Sequence, residues 1–304
     1  RKTLAITQFQ LAFIAKTSIL QSNDFRSESI TEEELMRLAN NVVHIEDNIT
    51  NQLLESRDGL NRILIRYSGE QFPLLEPVHY LLPRTLYLYG EANDLAKVRG
   101  VPFDSAKEFE KLVGMDITRF IQVGLSIFSL AISRPTIRIG DLTGTRVETM
   151  KPILTEDTVN KALNILSADY KGFRTEAGLH RSTEPGIERY EFNPLWDYPI
   201  IRMADKSFCV PVPKMLLHRI TRGIDFFLRK SFRAEGSTNP FATTFGILFE
   251  EYVGLQLKKL FGENAVYSEP RYGREEKRGA DWVCILGKDA LVVECRSGLV
   301  RHET

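Results

Sequence analysis

The sequence predicts an α+β protein, with a mostly α-helical N-terminal domain over residues 1–185 and an α/β domain over residues 186–304 whose core spans about 241–298. Three observations predict it. Apolar residues recur at helical spacing behind capping signals through the first half. Gly, Ser, Thr and Pro then cluster in "GFRTEAGLHRSTEPGIERYEFNPLWDYPIIRM", where two-residue periodicity begins. The last block runs from a long apolar helical stretch into three short strand-like runs.

The helical elements follow in order. Thr31, three residues before Glu34, forms a capping-box pattern ahead of Leu35, Leu38, Val42, Val43 and Ile45. Pro73, Pro77 and Pro83 are expected to break the chain after that block. Asp104 or Ser105 caps a helix carrying Phe109, Leu112 and Val113, and Thr155 precedes one carrying Val159, Leu163 and Ile165. The apolar run "ITRFIQVGLSIFSLAIS" includes Arg119 and Gln122 and falls short of the roughly 20 residues of a membrane span, so a buried helix is expected. "YPIIRMADKSFCVPVP" predicts a hairpin around Ala204 to Lys206, and Leu216, Ile220 and Ile224 return to helical spacing.

Composition excludes several classes. Forty Lys plus Arg against forty Asp plus Glu leave no global basic excess, so nucleic-acid contact needs a local patch. Three cysteines without metal-ligand spacing, and no secretory leader at "RKTLAITQFQ", lead to the expectation of a cytoplasmic protein with no membrane role.

The chemistry concentrates at the end of the chain. In "FGILFEEYVGLQLKKLF" the apolar residues form a stripe with Glu250 at its margin and Glu251 nearly opposite its centre, so Glu251 is expected to be solvated. "AVYSEP", "ADWVCIL" and "DALVVECR" predict three strands, the last two joined by a tight turn at Gly287 to Asp289. That hairpin makes Asp281 and Glu294 neighbours on paired strands. Two adjacent carboxylates repel unless a cation lies between them, and oxygen-only ligands suit Mg²⁺ or Mn²⁺. Arg296 falls on the face of Glu294, where its charge would serve a phosphate or an attacking water.

A helix with "GxxFE", a strand, a strand with "GAD", a hairpin and a strand with "VVECR" and "SG" together resemble the PD-(D/E)xK nuclease superfamily over about Phe241 to Gly298. The resemblance implies a metal-dependent nuclease acting on DNA, in restriction, anti-phage defence or repair. It implies Asp281 and Glu294 as the metal-binding acids, Glu250 as the helix acid, and Arg296 in place of the family's lysine. Arginine stays protonated, so Arg296 neutralises charge but does not act as a base, with Lys288 as a substitute cation. The family core is similar to α-β-β-β-α-β; nothing after Val300 supplies the last helix and strand, which are expected in a longer chain. Arg271, Arg274, Lys277 and Arg278, with Tyr272 among them, form a basic loop able to track a phosphate backbone, blunted by Glu269, Glu275 and Glu276. The helical domain would dock a protein partner or DNA, and oligomeric assembly stays open. The alternative is a catalytically degenerate fold that binds nucleic acid or protein; "ECR" alone reads more readily as a structural salt bridge or a solvated strand edge.

Overall fold

The computed structural model describes residues 6–22, 29–44, 59–61, 64, 65, 68, 74, 77–134, 136–181, 191–232, 239–269, 271, 272 and 277–296. In chain order the helices are α1 (Gln8–Gln21), α2 (Glu32–His44), α3 (Leu81–Tyr87), α4 (Asn93–Val98), α5 (Ser105–Val113), α6 (Ile117–Ser133), α7 (Ile139–Thr143), α8 (Glu156–Leu166), α9 (Tyr170–Leu179), α10 (Pro213–Arg219), α11 (Gly223–Ser231) and α12 (Pro240–Phe261). A π-helical turn, Leu88–Ala92, joins α3 to α4. The strands are β1 (Thr136–Ile137), β2 (Ser167–Asp169), β3 (Ile200–Arg202), β4 (Phe208–Cys209), β5 (Val266–Ser268), β6 (Arg271–Tyr272), β7 (Lys277–Arg278), β8 (Trp282–Leu286) and β9 (Asp289–Val293). The protein is α+β. No single helix among the described residues is long and apolar enough to cross a membrane.

The expected capping signals are present. Thr31 N–H donates to Glu34 at 2.8 Å while Glu34 N–H donates back to the Thr31 hydroxyl at 3.2 Å, opening α2. Asp104 accepts from Ala106 and Lys107 N–H at the start of α5, and Thr155 from Thr158 N–H at the start of α8. Pro83 does not interrupt the chain. It lies in the first turn of α3, where its missing N–H has no intrahelical acceptor to lose. Pro73 lies outside the described residues, as do Ile45 and most of the run that follows it.

The chain forms two compact units, each built from two segments: Arg1–Val78 with Arg119–Gly223, and His79–Thr118 with Ile224–Thr304. A single cut near residue 185 does not describe this division. In the first unit Ala12, Ala15 and Ile19 of α1 pack with Phe173, Leu195, Ile201, Val212 and Met215. Its mixed sheet has the order β1-β4-β3-β2, with β2 parallel to β3 and the other pairs antiparallel. The expected β3–β4 hairpin is there, turning at Lys206 with φ 64°. The helix behind Thr155, α8, ends at Leu166. Ser167 to Asp169 pair with β3, and the Asp169 carboxylate caps α9 through Gly172 N–H at 2.7 Å.

The second unit is organised on α12. Asn239 caps it, with Pro240 at the first helical position. One stripe of α12 buries Phe241, Thr244, Phe245, Leu248, Glu251 and Leu255, and the helix packs against the π turn and α4 as well as β5 and β8. A helix apolar on more than one side needs cover beyond a small sheet, and residues 79–118 supply it. The three-stranded antiparallel sheet has the order β5-β8-β9, with Val283 opposite Val292 and Leu286 opposite Asp289. Gly287, with φ 68°, opens the two-residue β8–β9 turn, a conformation that favours glycine. Trp282, Cys284 and Val266 pack with Leu257 of α12, whereas Val292, Ile285 and Tyr267 are exposed.

Candidate functional site

Every side chain of the candidate site belongs to the second unit. Trp282 seats the sheet on the helix: its indole N–H donates to the Glu250 backbone carbonyl at 3.0 Å, and its ring lies over Gly254, where a Cβ would come within 2.1 Å of it. This contact brings the start of β8 beside the middle of α12. Asp281, one residue before β8, then joins two strand ends. Its carboxylate accepts Cys295 N–H at 2.5 Å, just past β9, and its carbonyl accepts Glu269 N–H at 2.9 Å, just past β5. Glu269 adopts φ 35°, uncommon for a residue with a Cβ.

The outcome is an acidic cluster. Single carboxylate oxygens of Glu250, Glu269 and Asp281 lie within 4.8 Å of one another, each residue half-buried. Hard oxygen donors at this separation fit a small divalent cation such as Mg²⁺ or Mn²⁺. Arg99, at the C-terminus of α4, reaches two of these acids and the neighbouring Glu251. Its Nη1 contacts Glu250 directly and lies 2.9 Å from Glu251, while its Nη2 is 3.9 Å from Glu269.

The electrostatics follow from crowding and burial. Burial raises the Glu250 carboxyl above its ordinary pKa, and Asp281 and Glu269 push the same way against the pull of Arg99. Burial opposes the Arg99 charge, but its hydrogen bonds to Glu250 and Glu251 outweigh it and raise the pKa. Burial and then the charges of Asp281, Glu250 and Glu294 push the Cys295 thiol up to about 11.

Of the residues expected from the sequence, Glu250 and Asp281 meet. Glu294 is exposed beyond the last residue of β9 and is not one of the three clustered acids. Arg296 is exposed two residues further on, and Lys288 sits in the turn at the opposite end of the hairpin from Asp281. Glu251 corrects an expectation: it is buried, with its side chain 11% exposed, because Phe241, Thr244, Leu248 and Leu255 on its own stripe are buried too. In the basic segment, β6 pairs with β7 so that Arg271 faces Arg278 and Tyr272 faces Lys277 across a two-stranded ribbon; Arg274 lies outside the described residues.

Two participants escaped sequence reasoning. Glu269 stood as a charge blunting the basic loop, although its place near the end of the predicted strand "AVYSEP" was a usable signal. Arg99 carried none, since 151 residues separate it from Glu250. No family model, curated protein or solved structure matches this chain.

Proposed function

We propose that the protein is a metal-dependent nuclease of the PD-(D/E)xK type that hydrolyses DNA phosphodiester bonds, with Glu250, Glu269 and Asp281 as the oxygen donors for Mg²⁺ or Mn²⁺. The gathering of these three carboxylates within 4.8 Å, on a helix and a hairpin sheet in the order the resemblance implies, is the observation that carries the reading. A divalent ion bound by such donors polarises a phosphate and lowers the pKa of a coordinated water. The chain's own residues do the rest. Asp281, tied to the ends of both neighbouring strands, holds its carboxylate in place. Glu250 is fixed through the Trp282 bond to its carbonyl, and Arg99 offsets negative charge at the cluster. Basic residues on both strands of the β6–β7 ribbon suit a phosphate backbone.

A second reading has its own support. Arg99 lies among the acids, where a permanent internal cation would make a metal unnecessary, and the residue in the place of the motif lysine is an exposed arginine. On this reading the fold is a degenerate nuclease that binds nucleic acid or protein. The test is incubation of the protein with plasmid and linear DNA in Mg²⁺, Mn²⁺ or EDTA, beside Glu250→Gln and Asp281→Asn. Cleavage that requires metal and both acids supports the nuclease. A folded parent that neither cleaves nor binds divalent metal leaves the binding module.

A further inference from the structure

Arg99 occupies the coordination that the acids would otherwise offer a metal, and we propose that it is a displaceable counter-ion, holding the cluster together until a divalent cation takes its place. The inference rests on the metal-site reading above.

Competition follows from the contacts. Two of the three clustered acids, Glu250 and Glu269, are also partners of the Arg99 guanidinium, so ion and guanidinium would draw on the same oxygens. The guanidinium also lies 2.9 Å from Glu251, and Asp281 completes the cluster beside Glu250 and Glu269. These acids are carried by three separate pieces of chain, so without a cation their mutual repulsion would drive those pieces apart. Arg99 supplies one positive charge, and a divalent ion supplies two.

Displacement is structurally cheap. The Arg99 and Glu269 side chains are 32% and 35% exposed, against 12% for Glu250, so solvent reaches the cluster from the side on which the guanidinium sits. The Arg99 backbone is anchored by its N–H to the Ala96 carbonyl at 3.0 Å, and Gly100, with φ 78°, turns the chain away immediately afterwards. Only the side chain has to move. Glu251, which is not among the three clustered acids, remains as a partner for the displaced guanidinium.

The test measures Mn²⁺ binding to the full chain by titration calorimetry, for the parent and Arg99→Gln, with thermal unfolding of both in EDTA and in Mn²⁺. The expected result is roughly tenfold or greater tightening of Mn²⁺ affinity in Arg99→Gln, the size of an ordinary coupling between two competing ligands. The variant should also unfold at a lower temperature than the parent in EDTA and recover more of that loss in Mn²⁺. Equal Mn²⁺ affinity in parent and variant overturns the competition and leaves the metal site intact. Absence of Mn²⁺ binding in both overturns the proposal and the metal-site reading together. Should Arg99→Gln fail to fold, Arg99→Lys decides: it keeps the charge but loses the fork, so tighter Mn²⁺ binding than the parent supports displacement and equal binding overturns it.

Discussion

The Trp282 ring occupies the space that a side chain at Gly254 would need, since a Cβ at that position would fall 2.1 Å from the ring. Gly254→Ala therefore gains about 1 kcal/mol of helix propensity and loses about 2–3 kcal/mol through overpacking, for a net destabilisation of about 1–2 kcal/mol. Urea denaturation checks this. A variant as stable as the parent would show that the helix–sheet seam is loose, and the position of Glu250 relative to Asp281 would then lack its anchor.

Asp281 holds the fold and the site at once, and two substitutions separate the roles. Asp281→Ala removes the acceptor of Cys295 N–H and should destabilise by about 1–3 kcal/mol, whereas Asp281→Asn keeps an oxygen that can accept it. Denaturation in EDTA should rank Asn close to the parent and Ala below it, while both weaken Mn²⁺ binding. Equal stability of the two variants would mean that the Cys295 bond contributes nothing.

The raised pKa of Glu250 gives a signed pH dependence. An acid whose folded pKa lies above its unfolded value holds a proton more readily in the folded state, so the associated stability is complete below the unfolded pKa and is lost as pH rises through the folded one. The parent should gain stability relative to Glu250→Gln as pH falls from about 7 to about 4. Mn²⁺ affinity should weaken over the same interval, because the ligands must be deprotonated. Paired unfolding curves across this range check the sign; a parent that loses stability relative to Glu250→Gln on acidification would contradict it.

Much of the local architecture was legible in the residues themselves. Thr31 with Glu34, Asp104 and Thr155 announce helix starts because a cap is made within four residues, and Gly287 announces the β8–β9 turn because few other residues accept its φ. The order of α12, β5, β8 and β9 follows from the same short-range rules, whereas the approach of Glu250 to Asp281 was implied only by the resemblance and is set by the contact of Trp282 with α12. Glu251 was misread for want of knowing what covers its stripe of α12, and the end of strand β9 fell short of the expected "DALVVECR" because pairing partners decide where a strand stops.

What only the tertiary structure decided is non-local. Residues 79–118 join the C-terminal segment in one unit, β3 and β4 belong to the other, Glu269 reaches the cluster through its bond to the Asp281 carbonyl, and Arg99 supplies the cation. The physical reason is common to all four. Periodicity and caps report a residue's neighbours within a turn or a hairpin, whereas the position of a charge relative to acids 151 residues away is set by which apolar faces bury against each other, and the sequence alone does not state that pairing.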